Sequence, residues 1–257
     1  MELSVSSGER KPAGNTATTW LKLIALVFMF IDHSGKMLFP SVSEMRILGR
    51  IAFPIYVWCM VVGFHYTRSV PKYLLRVFTV GLVSQPLYML ALNHTWNQPN
   101  VFLTLLLGLC ALWGIREKKA GSHFWAPAAA LVLAIVLKAD YGWKGVLLFI
   151  LLYAVQDRRA GIAAVMVPFF MYWGSGYSVT KSLFGLAINL NSLPDYLSPL
   201  LSPFLRMEAY ALLSLPFILI PFKKDLKLPR WIGYALYPGH LILLYALELI
   251  TKAVQNS

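Results

Sequence analysis

The first apolar stretch of the chain, residues 20–39, contains four ionisable side chains: Lys22, Asp32, His33 and Lys36. Lys22 and His33 are 11 residues apart, about three helical turns, so they share nearly the same helix face about 16 Å apart. Asp32 lies about 100° round from His33 and should reach a different neighbour. Imidazole is available in its neutral form near pH 7, which makes His33 a candidate general base. Lys22 is either part of that site or an interfacial side chain.

Two arginines open the second apolar stretch, residues 47–66 and their flank. Arg46 and Arg50 are four residues apart and therefore stack on one helix face. Arg50 is the deeper of the two and needs a partner, because a buried guanidinium is costly when unpaired. Asp32, at the facing end of the first stretch, is the nearest candidate in sequence. Arg46 marks the interface or joins the same site.

A basic and aromatic patch follows the second stretch, made of Arg68, Lys72 and Arg76 with Tyr66 and Tyr73. One interpretation is ordinary positive anchoring on the cytoplasmic side of a membrane. The other is an anion site, because guanidinium groups suit phosphates.

Two more ionisable side chains stand in later apolar stretches. His240 lies within Tyr237-Pro238-Gly239-His240, and a histidine deep in a span faces a cavity or a partner. Glu208 pairs with Arg206 or sits at the interface.

Common catalytic signatures are absent from the sequence: it has no P-loop, GxSxG, HExxH or GxGxxG. The two cysteines, Cys59 and Cys110, do not form a CxxC pair, so we expect no metal site. Any chemistry must therefore come from isolated side chains held within helices.

The composition indicates which elements hold those side chains. Of 257 residues, 58% are hydrophobic and 13% are charged, and the mean hydropathy is +0.62. Soluble domains carry about 25% charged residues, so much of this surface must face lipid. The net charge of +12 is held in short clusters between apolar runs, as in the loops of a multi-pass membrane protein. We expect no nucleic-acid partner.

The predicted fold is an all-α polytopic integral membrane bundle with nine transmembrane helices, or ten in the alternative interpretation. Residues 174–203 are ambiguous, and within them 182–193 could be a half-span, a re-entrant piece or an interfacial helix. Basic loops follow spans two, four and six, which places the N-terminus in the cytoplasm and the protein in the inner membrane. Residues 1–16 are expected to be a disordered cytoplasmic tail, and 17–257 a single domain. The predicted spans are 20–39, 47–66, 73–92 (kinked at Pro86), 101–115, 124–137, 144–155, 160–173, 207–222 and 231–250.

Several sequence blocks together resemble the TraX family of membrane proteins. The resemblance covers most of the chain beyond the tail and is most specific in the first 90 residues. The blocks are Lys22 with IDHSGK at 31–36, GRIAFPIY at 49–56, Gly63-Phe64 with Thr67-Arg68, Tyr73 to Arg76 with Ser84-Gln85-Pro86, and Tyr237-Pro238-Gly239-His240.

The resemblance implies a transmembrane acyltransferase, since the family is linked to pilin acetylation. In related enzymes an arginine, ten intervening residues and a histidine carry the chemistry, and here Lys22 and His33 have that spacing. The expected activity moves an acetyl group from cytoplasmic acetyl-CoA to an amine or hydroxyl of a peptide, small-molecule or envelope-associated acceptor. The expected catalytic residues are His33, Asp32, Lys22 and His240, and the expected acetyl-CoA-binding residues are Arg46, Arg50, Arg68, Lys72 and Arg76.

Two other functional classes fit the same buried charges. A transporter or proton-coupled permease would use His33, Asp32, Arg50 and His240 as a proton or substrate path, although the sequence has no matching halves. A scaffold in a secretion or conjugation complex would leave these charges purely structural.

Overall fold

The computed structural model describes residues 11–190, 194 and 196–255, and these are predominantly helical. One short antiparallel hairpin, β1 (Ser182–Leu183) and β2 (Leu186–Ala187), is present. Three further segments are 3-10 helices: Lys119–Gly121, Ser202–Leu205 and Met207–Ser214. The α-helices are α1 (Thr18–Met37), α2 (Ser43–Gly49), α3 (Ala52–Tyr66), α4 (Val70–Leu92), α5 (Val101–Glu117), α6 (Ser122–Val136), α7 (Gly142–Val155), α8 (Arg159–Gly174), α9 (Leu197–Leu201), α10 (Leu215–Leu219) and α11 (Arg230–Gln255).

Three of the described helical stretches are long and apolar enough to cross a membrane: Ser43–Tyr66, Val70–Leu92 and Lys119–Val136. The helical class is therefore confirmed. Length and hydropathy identify fewer spans among the described residues than the nine that the sequence predicts. Several of the remaining segments, such as Gly142–Val155, are apolar but shorter than the roughly 20 residues that a crossing needs. Pro86 lies inside an uninterrupted α4.

Helix α3 forms the centre of the bundle. Its side chains are apolar on every face, and those of Ile55, Trp58, Val61 and Phe64 are fully buried. A helix that is hydrophobic all round is buried in a core or spans a membrane. Helices α1, α5 and α7 pack around α3 and enclose it.

The described segment before α1 packs against the helix bundle rather than extending from it as a tail. The Asn15 backbone N–H donates to the Ile218 carbonyl at 2.6 Å, and Trp58 Nε1 donates to the Asn15 carbonyl at 2.7 Å. A Cβ added at Gly14 would overlap the Trp58 ring, so the chain passes close to α3 there. The expected disordered tail of residues 1–16 therefore does not extend to Asn15, because these hydrogen bonds hold Asn15 against the bundle. Residues 1–10 lie outside the part of the chain that the structure describes.

The same end of the bundle collects several helix termini and their basic loops. Ala13 N–H donates to the Gln156 carbonyl, at the end of α7. Arg116, at the end of α5, donates to the Phe64 carbonyl in the last turn of α3. Asp225, just before α11, accepts from the backbone N–H groups of Thr19 and Trp20 at the start of α1. The termini of helices distant in sequence therefore meet at one face.

Within the ambiguous region, residues 182–187 are not helical, whereas Leu197–Leu201 forms the short helix α9. Over 182–187 the chain makes the two-residue strands of the β1–β2 hairpin, with Phe184 and Gly185 at its turn. Both turn residues have positive φ, 49° and 78°, which suits a tight turn and breaks a helix. Residues 191–193 and 195 of the predicted segment lie outside the described residues.

Candidate functional site

A cavity of about 240 Å³ runs beside α1 and is lined by three of the four predicted catalytic residues, Lys22, Asp32 and His33. Thr19 and Lys22 line it near the start of α1, and Asp32 and His33 line it near the end. Its other walls come from α3, α4, α5, the loop before α7, and α11. Lys22 and His33 thus share one face of α1, as the helical spacing predicts.

His33 meets His240 across the interface of α1 and α11. The Nδ1 atom of His33 lies 3.0 Å from Nε2 of His240, and the two rings stack with 21° between their planes. One nitrogen must carry the shared proton, so each ring dictates the tautomer of the other. If Nδ1–H of His33 is the donor, its Nε2 keeps a lone pair that can accept a proton.

Asp32 turns away from His33 and holds both arginines of the second stretch. Its Oδ1 accepts from Arg50 Nη2 at 3.0 Å, and its Oδ2 accepts from Arg46 Nη1 at 2.6 Å. The predicted pairing of Arg50 with Asp32 is therefore confirmed. The carboxylate is bound to these two cations rather than to the imidazole of His33, which fits the 100° offset along the helix.

Glu208 completes this charged cluster from the far end of the chain. Arg50 Nη1 donates to Glu208 Oε1 at 3.0 Å, so one guanidinium bridges two carboxylates. The expected pairing of Glu208 with Arg206 is wrong, because Arg206 donates to the carbonyls of Ser175 and Tyr177 instead. We call Asp32, Arg46, Arg50 and Glu208 the charged cluster.

Gly49 allows the charged cluster to form. A Cβ at this position would overlap the Asp32 side chain, so only glycine lets α2 approach α1 this closely.

The five predicted acetyl-CoA-binding residues divide into two groups. Arg46 and Arg50 precede α3 and belong to the charged cluster, whereas Arg68, Lys72 and Arg76 follow its last residue. Since α3 has 15 residues, the groups are separated by about 22 Å of helix. The structure therefore does not bring all five to one site.

Of the second group, Arg76 contacts a residue that lines the cavity. Its guanidinium lies 5.6 Å from the centre of the Tyr73 ring, and Tyr73 lines the cavity. Arg68 and Lys72 are exposed.

Sequence reasoning missed Asp140 and Tyr141, which line the cavity from the loop between α6 and α7. The Tyr141 ring stacks on Phe53 with 3.6 Å between ring centres, which fixes the loop against α3. Burial raises the pKa of Asp140 to about 6, although the positive charges of Arg50 and Lys36 oppose the rise. Asp140 lines the cavity and keeps part of its surface exposed. A single acid in a short loop shows no spacing that would have indicated it.

Comparison with known proteins decides the family. Residues 17–248 match the family model described as TraX protein. The chain belongs to the TraX family. This TraX family protein is 28% identical to a Rickettsia prowazekii protein described as uncharacterized, over 55% of this chain and 57% of that protein.

Two further relatives carry descriptive names. The chain is 28% identical to a "probable fimbrial assembly protein", FimC of Dichelobacter nodosus, over 57% of this chain and 66% of the relative. It is also 28% identical to Protein TraX of Escherichia coli, over 56% of this chain and 59% of the relative. The matches thus span less than two thirds of each relative's length. No solved structure matches the chain.

In this TraX family protein, the sequence blocks that carry the resemblance meet around the cavity. Asp32 and His33 come from the first block, Gly49 and Phe53 from the second, and Tyr237 from the last. These blocks are far apart in sequence, and they are brought together where α1, α3 and α11 pack.

We expect Asp140→Asn to stabilise the protein at pH 8 and to leave it unchanged near pH 4. The folded-state pKa of about 6 exceeds the usual value of about 3.9, so wild-type stability falls as pH rises from about 4 to about 6. Thermal unfolding in detergent from pH 4 to pH 8 measures the difference in unfolding midpoint between the variant and the wild type. Glu117→Gln, at an exposed position, is the control and should not raise the midpoint. A gap that stays constant from pH 4 to pH 8 would contradict this assignment.

Proposed function

We propose that this protein is an integral-membrane acyltransferase that moves an acetyl group from cytoplasmic acetyl-CoA to an amine or hydroxyl acceptor. The proposal rests on one observation above all: the cavity joins Lys22 at one end to His33 at the other, and His33 is hydrogen-bonded to His240. The family membership supports it.

The proposed topology has nine crossings with the N-terminus in the cytoplasm of an inner-membrane protein. The face where α1 begins also holds the ends of α3, α5 and α7. Its loops carry the basic clusters at 116–119, 158–159 and 223–230. A concentration of Lys and Arg on one face is typical of the cytoplasmic side, which supports this orientation.

The donor enters, in this proposal, from the end of the cavity near Lys22. A cavity of about 240 Å³ accommodates the extended thioester arm of acetyl-CoA rather than the whole molecule. The phosphates then stay at the mouth, where the ammonium of Lys22 and the guanidinium of Arg76 offer charge-assisted hydrogen bonds. About 16 Å of α1 separates Lys22 from His33, which the arm spans to present its acetyl group.

His33 acts as the base in this scheme and His240 as a positioning residue. His33 Nδ1–H donates to His240 Nε2, which leaves His33 Nε2 to take the acceptor proton as the acceptor attacks the thioester carbonyl. The cavity is also lined by Tyr56, Tyr88 and Tyr237. We assign stabilisation of the tetrahedral oxyanion to a phenolic hydroxyl of this set, because a fixed donor lowers that barrier.

Inverted membrane vesicles, which expose the cytoplasmic face, test the proposal with acetyl-CoA added outside. We expect acetyl-CoA consumption and CoA release, and we expect Lys22→Gln to raise the KM for acetyl-CoA by about ten- to one-hundred-fold. Lys22→Arg keeps the charge and should stay near wild type. Lys252→Gln, at an exposed ion pair with Glu248, is the matched control. Absence of CoA release, or an unchanged KM in Lys22→Gln, would overturn the donor assignment.

A further inference from the structure

A groove runs between α1 and α11 on the side opposite the cavity. Its volume is about 600 Å³, and nine of its ten lining residues are apolar. His240 is the exception. From the level of His33 and His240 the groove extends toward the N-terminal ends of both helices, to Leu26 on α1 and Ile232 on α11.

The groove and the cavity are separated by a wall one side chain thick. Leu26 and Leu236 line both spaces. His33 lines the cavity, His240 lines the groove, and their ring nitrogens lie 3.0 Å apart. The His33–His240 contact therefore links the groove to the site of the proposed base.

The groove is exposed, and the part of the chain that the structure describes leaves it unfilled. Val27 and Leu243 on its rims are more than half exposed. A Cβ added at Gly239 would meet no atom within 4 Å, so the groove floor has room there. In a membrane protein, exposed aliphatic side chains at this depth face hydrocarbon.

The dimensions favour a single hydrocarbon chain over a helix. From Ile232 to Leu243 the groove follows about 16 Å of α11. A volume of about 600 Å³ over that length gives a cross-section of about 40 Å², whereas a helix 10–12 Å across needs about twice that or more. A hydrocarbon chain is narrower and can lie on the groove floor.

The depth of the histidine pair fits the same occupant. His33 lies four residues before the end of α1, about 6 Å from the outer end of that helix. A lipid whose polar group lies at this level extends its chain toward the middle of the bilayer. The groove runs in that direction.

We propose that the acetyl acceptor is a lipid of the outer leaflet, whose hydrocarbon chain lies in the groove between α1 and α11. This inference rests on the proposed function and names its acceptor class. The hydroxyl or amine of the lipid reaches the cavity beside the His33–His240 contact and attacks the thioester carbonyl. A new O–C or N–C bond forms and the S–C bond breaks. His33 Nε2 takes the acceptor proton and returns it to the departing sulfur, which leaves as the CoA thiol.

Two glycines of α11 provide matched variants, since neither has an atom within 4 Å of an added Cβ. Gly239→Phe fills the groove, and Gly233→Phe fills the cavity, which Gly233 lines. The full chain is reconstituted in phosphatidylethanolamine–phosphatidylglycerol vesicles containing a phospholipid with a diazirine in its acyl chain. Photolabelled peptides then report which part of the surface holds the chain.

We expect wild-type label on the α1 and α11 segments that line the groove. Gly239→Phe should reduce that label by about ten- to one-hundred-fold, because two or three buried methylene groups lose their contacts. It should also retain affinity for acetyl-CoA, which shows that it folds. Gly233→Phe should keep the label and lose acetyl-CoA binding.

The transfer itself is followed with radiolabelled acetyl-CoA in membrane vesicles from the cells that produce the protein. We expect label in the chloroform-soluble lipid fraction with wild type, and its loss with Gly239→Phe. Label in peptide instead, or lipid label that persists in Gly239→Phe, would overturn the lipid acceptor while leaving the acyltransferase proposal intact. Absence of both CoA release and labelled product would defeat the proposed function itself.

Discussion

His33→Ala should lower acetyl transfer by about 100- to 10,000-fold, the range typical for removal of a general base. The side chain lines the cavity at the far end from Lys22, and the contact with His240 orients its ring. Acetyl-CoA affinity should remain near wild type, because the mouth of the cavity is unchanged. Initial rates with labelled acetyl-CoA, together with calorimetric binding, measure both quantities.

Two further variants distinguish a His33 side chain that acts as a base from one that only fills the site and makes it polar. His33→Gln keeps polarity and approximate size but cannot accept the proton, so we expect it to be nearly as inactive as His33→Ala. His240→Gln preserves a hydrogen-bonding partner for His33 and should reduce kcat less, with a shifted pH profile. Substantial activity in His33→Gln would move the role of base to His240.

Arg50→Leu should lower the free energy of unfolding by about 3–5 kcal/mol, the cost of breaking a buried ion pair from one side. The Arg50 side chain is 13% exposed and binds both Asp32 and Glu208. Its removal leaves Glu208 buried without this partner and leaves Asp32 with Arg46 alone. Thermal unfolding in detergent, monitored by tryptophan fluorescence, should show a large fall in the midpoint.

The control for this effect is an exposed ion pair of the same protein. Lys252 and Glu248 are in contact at 2.6 Å one turn apart on α11, and the Lys252 side chain is 63% exposed. Lys252→Gln should cost about 0.3–0.5 kcal/mol. Arg50→Lys keeps the charge but cannot bridge two carboxylates, so it should lie between these limits. Equal midpoints for Arg50→Leu and Lys252→Gln would show that the charged cluster contributes little to stability.

Helical periodicity explains which part of the site could be predicted from the sequence. Residues 11 apart on one helix share a face whatever surrounds the helix, which placed Lys22 and His33 along one cavity. The same helical geometry predicted that Asp32 points away from His33. The four-residue spacing of Arg46 and Arg50 placed two candidate partners for Asp32 on one helix face. Composition was equally direct, because a chain with so few charges must expose apolar helices to lipid.

Contacts between segments that are distant in sequence could not be predicted in this way. His240 is 207 residues from His33, and Glu208 is 158 residues from Arg50. Periodicity indicates which face of each helix is polar, but the packing of α11 and the 207–214 segment against α1 and α2 decides which faces meet. Asp140 lines the cavity from a loop whose next residue, Tyr141, stacks on Phe53 of α3. The sequence by itself determined the helical membrane class and the face of α1 that carries His33, because both follow from composition and helical periodicity. Tertiary packing decided which residue His33 contacts and which cavity it lines, because these depend on segments distant in sequence.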